Sequence, residues 1–326
     1  MPTQWDGAQF RVGYQGYFYA APQSGQYVTP TTMTDPSPSG SLVAIGPCSM
    51  PGWSQNENVR PIQGAGSGRD LAAVPGRREC EINTRIDVAD PIFLTNTGNF
   101  VRNHASPNGA GTVNGLNLIL AELGVPSAYG DEAFAVRGVD CLANSLRLEI
   151  AENQNVVANV SLWPICFIQS TPPATAPPPS SCVPMIWQTV AFEHNGIDYM
   201  PGLAGISFSV NNNLERVGAR PMLGSGGVEY AVSRTPRRIK AKLEQLQVSY
   251  RWHSRPPSAL FSVLDRGQVV ITAAQPGVGT RYGLRITIDH NHMSRVTQQE
   301  TQANAMFSAS AEMVAYAVNI QRVTLT

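Results

Sequence analysis

The chain has 326 residues, enough for about two domains of ordinary size. It carries 23 basic and 23 acidic residues, only 14% charged and with no net charge, alongside 29 glycines and 25 prolines. That composition disfavours a long-helix protein and a basic nucleic-acid binder, and a 42% hydrophobic content is enough to fill a core. A mainly β chain with many turns fits best.

At the N-terminus, MPTQWDGAQF has no basic stretch followed by an apolar run, so no secretory signal is expected there. No run approaches the ~18 apolar residues of a membrane helix, so no membrane partner is expected. Residues 9–21 alternate Phe10, Val12 and Tyr14 before Tyr17, Phe18 and Tyr19, and precede a polar stretch at 29–41. This aromatic strand and arm, 1–41, either docks on a neighbouring chain or forms an edge strand of its own domain. A first β-rich domain is placed at 42–169, a linker at 170–184 and a second domain at 185–326.

Within the first domain, WSQNENV at 53–59 leads into a polar loop at about 55–76. Residues 79–88 then alternate, with Cys80, Ile82, Thr84, Ile86 and Val88 on one face. Glu79, Glu81, Asn83, Arg85 and Asp87 fall on the other, the pattern of a half-buried strand. Leu116, Ile119, Leu120 and Leu123 follow helical spacing after the cap candidate Asn114, with Gly124 as the stop. The strands SLRLEIAE and VVANVSLWPI follow. The linker STPPATAPPPSSCVP holds six prolines, which impose an extended backbone.

In the second domain, FSVNNNL at 208–214 leads into a second polar loop at about 210–236. A strand is expected at 239–250, with Lys240, Lys242 and Glu244 on its polar face and a bulge near Glu244–Gln245. Leu260, Val263 and Leu264 after Ser258 predict a second short helix ending at Gly267. The strands QVVITA, GLRITID and MVAYAVNIQRV complete the unit.

The two halves read as a duplication. WSQNENV matches FSVNNNL at an offset of 155, and the RR pairs at 77–78 and 237–238 match at 160. SLRLEIAEN at 145–153 matches GLRITIDHN at 283–291 at 138, and VVANVSLW matches VAYAVNIQ at 158. The varying offset implies one extra loop early, at 95–111, and one late, at 292–311. Charge divides along the same line. Residues 1–170 have 9 arginines, no lysine and 14 acidic residues, a net of −5. Residues 171–326 have 12 arginines, 2 lysines and 9 acidic residues, a net of +5.

Catalytic signatures are absent: there is no G-x-S-x-G, H-E-x-x-H, P-loop or C-x-x-C. No enzymatic role, cofactor or metal is expected. DHNH at 289–292 reads as an exposed turn in preference to a metal chelate. The five cysteines are read as reduced and mostly buried, with a Cys166–Cys182 bridge as the alternative. The two polar loops are the binding candidates, through Asn56, Arg60, Arg69 and Asp70 and through Asn211, Arg216, Arg220 and Glu229.

The stretch ISFSVNNNLERVGARPMLGSGGVEYAVSRTPRRIKAKLEQLQVSY at 206–250 resembles the opening of a bacteriophage tail tube domain. In that family a strand with a polar segment leads into a long loop, then a basic-flanked strand, a helix and further strands. The resemblance covers the C-terminal half and reaches the N-terminal half through the repeat. It implies two tandem β-sandwich or barrel domains, each with one short helix. It also implies rings that stack into the tube of a long non-contractile tail, through which DNA passes without specific binding. Most members have one domain and six-membered rings. This chain resembles the duplicated type, in which three chains form a pseudo-sixfold ring. Implied partners are further copies of itself and the tape measure, terminator and baseplate proteins. The implied setting is the virion, assembled in the host cytoplasm. The two polar loops would stack rings, and Glu79, Glu81, Asp87, Lys240 and Lys242 would face the lumen. The alternatives are a tail terminator or baseplate hub of related fold, or a two-domain β-rich binding module.

Overall fold

The computed structural model describes residues 16–25, 42–45, 48, 51–56, 58, 60–63, 70–74, 79–97, 100–102, 108–109, 112–113, 115–175, 183–198, 200–217, 238–241, 245–252, 267–299 and 308–325. Alternating and apolar segments in both halves become strands, and the protein is mainly β. The first half forms β1 (Tyr17–Pro22), β2 (Val43–Ala44), β3 (Gly52–Asn56), β4 (Arg60–Gln63), β5 (Asp70–Val74) and β6 (Glu79–Asp87). The short β7 (Asn108–Gly109), β8 (Thr112–Val113) and β9 (Leu116–Asn117) follow. Then come β10 (Ile119–Val125), β11 (Phe134–Ala151), β12 (Val157–Trp163) and β13 (Cys166–Ser170). The second half forms β14 (Val190–His194), β15 (Ile197–Asp198), β16 (Leu203–Asn211), β17 (Leu214–Val217) and β18 (Arg238–Ala241). It ends with β19 (Gln245–Trp252), β20 (Val269–Ala274), β21 (Arg281–Gln299) and β22 (Ser308–Leu325).

One pairing order is written twice, antiparallel throughout. The first half runs β1–β10–β11–β12–β6–β3. The second runs β14–β20–β21–β22–β19–β16. Chain order is the same in both sets. Along β11 the early residues pair with β10 and β13, and the later ones with β12 and β16. The change of partners falls at a bulge where Asp140 has φ 49 and the β10–β11 register shifts. The side chain of Gln23 receives the Asp140 N–H at 2.9 Å and holds this corner.

The alternation read at 79–88 is observed: Cys80, Ile82, Thr84, Ile86 and Val88 are buried. Of these, Ile82, Ile86 and Val88 join one core cluster that spans both halves, with Phe18, Leu146 and Leu148 from the first and Phe192, Phe208, Tyr250 and Ile286 from the second. The cysteine reading holds for Cys80, Cys141 and Cys166, which are buried free thiols, whereas Cys48 is half-buried. Burial pushes the Cys141 thiol well up, with Asp140 adding to the effect.

Several expectations are corrected. In place of the helix expected at 114–124 stand the strands β9 and β10, the seven residues of β10 all buried, and the cap candidate Asn114 lies outside the described residues. A strand covered on both faces shows no alternation, and its apolar residues can satisfy helical spacing by accident. Gly124 is no helix stop; a Cβ there would overlap the Phe134 carbonyl on β11. The second expected helix lies outside the described residues, apart from Gly267. The DHNH segment begins within β21 and not in a turn, with Asp289 accepting a 2.8 Å hydrogen bond from Gln268. Of the aromatic segment, Tyr17, Phe18 and Tyr19 belong to the strand β1 of its own half, between β10 and β2, while Phe10, Val12 and Tyr14 lie outside the described residues.

The repeat match at 145 and 283 is also out of step. SLRLEIA lies in the later part of β11, while GLRITID lies in the early part of β21. Strand topology places Gly138 opposite Phe167 and Ile288 opposite Val318. The two long strands therefore correspond over their whole lengths, and much of the supposed late extra loop is strand. The RR alignment fails similarly. β6 pairs with β3 and β12 as β19 pairs with β16 and β22, so β19, and not 239–250 as one strand, is its counterpart.

Candidate functional site

The halves meet by strand pairing. β16 of the second half lies antiparallel to the later part of β11, from Ser145 opposite Asn211 to Ala151 opposite Gly205. This pairing makes one 15-stranded sheet of both halves. Asn212, fully buried, donates from Nδ2 to the carbonyls of Phe100 and Ala143, each at 2.9 Å. In return, Asn144 Oδ1 accepts from the Leu214 amide at 3.3 Å.

Charge reinforces the junction. Arg216 lies with its guanidinium 4.3 Å from the Trp163 ring and 3.9 Å from Glu79, and also donates to the Cys80 carbonyl. Arg322 forms a two-pronged pair with Asp90, Nε to Oδ1 at 2.7 Å and Nη2 to Oδ2 at 2.8 Å. Its guanidinium also stacks 3.9 Å from the Tyr282 ring. That hydrogen bond with Asp90 is the main cause that raises the Arg322 pKa. In both ion pairs the acid comes from the negative half and the base from the positive half, as the charge division suggests.

The repeat gives each partner in this junction a counterpart. The later part of β11 corresponds to the later part of β21, and β16 corresponds to β3. The β3 match is fixed at atomic level. Asn58 has φ 46 and donates its N–H to Asn56 Oδ1 at 2.9 Å; Asn213 has φ 47 and donates to Asn211 Oδ1 at 2.9 Å. Among the described residues neither counterpart edge is used within the chain. Among the described strands β3 pairs with β6 alone, and all five of its residues are exposed. Among the same described strands, β21 beyond Asp289 pairs with β22 alone. Trp53 on β3 is 43% exposed, whereas Phe208, at the same position on β16, is fully buried.

The sequence-predicted binding residues divide between several places. Described parts of the supposed loops form two strand-paired arms, β4 with β5 and β17 with β18, while residues 64–69 and 218–237 lie outside the described residues. Asn56 and Asn211 end the strands that lead into them. Arg60 begins β4 and Asp70 begins β5. Arg216 belongs to the junction within the chain. Arg69, Arg220 and Glu229 lie outside the described residues. Of the lumen candidates, Glu79 contacts Arg216, Glu81 accepts a 3.1 Å hydrogen bond from Ser161, and Asp87 ends β6. Lys240 is on the β18 arm, in register with Glu215, and so is not the counterpart of Glu79. Gln245, opposite Asn211 as Glu79 is opposite Asn56, holds that position. Lys242 lies outside the described residues. Cross-strand register at the junction carried the site, and no local motif signals it.

The non-core face around the junction is polar. Arg85, Asn159, Arg147 and Ser209 form one cross-strand row; Asp87, Val157, Glu149 and Ser207 form the next. Basic and acidic rows thus adjoin, and Arg147 pairs with Glu149 at 2.9 Å. A shallow depression of about 480 Å³ lies there, lined by residues including Asn83, Arg85, Ser145 and Arg147. No protein-family model matches the chain, and no curated protein matches it. Among the described residues no helix is long and apolar enough to cross a membrane, and no group of three acidic, histidine or cysteine side chains is placed to hold a metal.

Proposed function

We propose that this chain is a structural, non-enzymatic protein that assembles side by side with copies of itself into rings, and that stacked rings form a phage tail tube. The observation that supports it is the β11–β16 junction together with its two unused counterparts, the β3 edge and the later β21 edge. Long open edges attract further strands, and soluble proteins usually blunt them. Here the edges are different surfaces, so a contact between copies is head-to-tail and can close into a ring. Carrying the junction's register across places Asn56 opposite Arg295 of the next copy. Three chains alternating negative and positive halves make the pseudo-sixfold ring that the sequence resemblance implies. The polar face with its adjoining basic and acidic rows suits a lumen that passes DNA without gripping phosphate.

Negative-stain microscopy of the purified chain tests the reading. Rings that stack into hollow filaments are the expected result. Closed rings that never stack favour a terminator or hub role, and a chain that stays monomeric at all concentrations defeats the proposal.

A further inference from the structure

The junction within the chain includes more than strand pairing. The short π-helix Phe93–Thr97 of the first half packs against β22 of the second. Val318, Asn319 and Ile320 on β22 lie beside Leu94, Phe100 and Val101. The positions corresponding to these three on β22 are Phe167, Ile168 and Gln169 on β13, since Phe167 faces Gly138 as Val318 faces Ile288.

In the first half this place is open. Phe167, Ile168 and Gln169 line a groove of about 440 Å³, together with Trp53, Gln55 and Val136. Trp53 forms one wall, edge-on to Phe167 with ring centroids 5.1 Å apart. One site is therefore built twice: in the second half the chain's own Leu94, Phe100 and Val101 flank it, leaving a pocket of about 230 Å³, and in the first half no described residue occupies it. The groove also adjoins the exposed β3 edge.

We infer that the Trp53–Phe167 groove is a socket for a second copy of this chain, filled by that copy's connection between β19 and β20. Residues 253–266 of this connection lie outside the described residues; by chain order it is the counterpart of the one after β6 that carries Phe93, Leu94 and Phe100. Its sequence supplies Leu260, Phe261, Val263 and Leu264, apolar residues suited to an aromatic groove. The inference rests on the self-association reading and names its site and its partner segment. Each chain then carries one socket and one plug.

Two full-length variants test it: Trp53→Asp, which spoils the socket, and Leu260→Asp with Phe261→Asp, which spoils the plug. Circular dichroism checks that each is folded, and light scattering after size exclusion gives the mass. Each variant alone falls from the wild-type ring mass to that of one chain. An equal mixture joins one intact socket to one intact plug, so its mass doubles to that of two chains and goes no further. Trp53→Asp rings of wild-type mass overturn the socket while leaving self-association standing. A mixture that stays at the mass of one chain also overturns it. A wild-type chain that does not assemble overturns both.

Discussion

Asn58 and Asn213 adopt the same left-handed backbone, at φ 46 and φ 47, and each gives its N–H to an asparagine two residues earlier. Asparagine tolerates this conformation because its short polar side chain bonds locally, whereas most side chains meet a steric penalty. Replacing Asn213 with Ala therefore costs on the order of 1 kcal/mol by the left-handed penalty. Asn213→Gly, free of that penalty, stays close to wild type. Chemical denaturation of the pair of variants checks this.

The β3 edge gives a sharper test of assembly. Ser54→Pro removes a backbone donor from an exposed strand and leaves the described core untouched. The ring-forming mass is lost with little change in unfolding midpoint if the donor points to the next copy. The companion Gln55→Pro probes the alternate side of the strand, since backbone donors alternate between edges. Assembly of both variants at wild-type mass contradicts the proposed edge contact.

Asp90 and Arg322 bind the halves through a pair whose carboxylate side chain is only 4% exposed. Asp90→Ala leaves the guanidinium with its Tyr282 stack but no anion, and Arg322→Ala leaves a nearly buried carboxylate without its cation. The latter is the costlier, at about 3 kcal/mol. The double variant recovers part of that loss, and a double-mutant cycle by denaturation measures the coupling.

Charge complementarity extends the same logic between chains. Reversing several exposed acidic residues of the first half to lysine places like charges at contacts between copies. Assembly then weakens, and added salt partly restores it because screening relieves the repulsion. Sedimentation at two salt concentrations gives the answer; assembly that ignores both changes removes the electrostatic argument.

Alkaline pH acts on the outer aromatic pair. Tyr17 and Tyr19 stack with ring centroids 4.7 Å apart, and Tyr17 donates to Glu122, which also binds Arg137 and Ser170. Burial first, then the Glu122 charge, pushes the Tyr19 phenol up to about 12, and Tyr17 is raised by the same causes. The folded state thus holds these protons more tightly than the unfolded chain. Their contribution is fully present below pH 10 and is lost as pH rises from about 10 to 12, on the order of 2 kcal/mol for Tyr19. Tyr19→Phe flattens that part of the stability profile.

The sequence was most legible where burial was one-sided. Strand β6 alternates because one face meets the core and the other does not, so its phase could be read directly. The Asn56 and Asn211 segments matched because a special backbone conformation restricts the residues that suit it. Strand β10 misled because both its faces are covered, which erases the two-residue period. The match between 145–153 and 283–291 misled for a related reason. Leucine, arginine and isoleucine recur along any strand with one apolar face, so similar strings arise at positions with different partners. The open edges had no signature at all, because strand pairing uses backbone groups common to nearly every residue.

The β11–β16 pairing also bears on the order of synthesis. β11 is complete well before β16 leaves the ribosome, so the first half waits with a finished strand edge bare. A chain stopped at residue 170 would keep that edge permanently, in addition to the exposed β3. Two uncapped and complementary edges on one truncated product make early termination a hazard, since such fragments can template one another before quality control removes them.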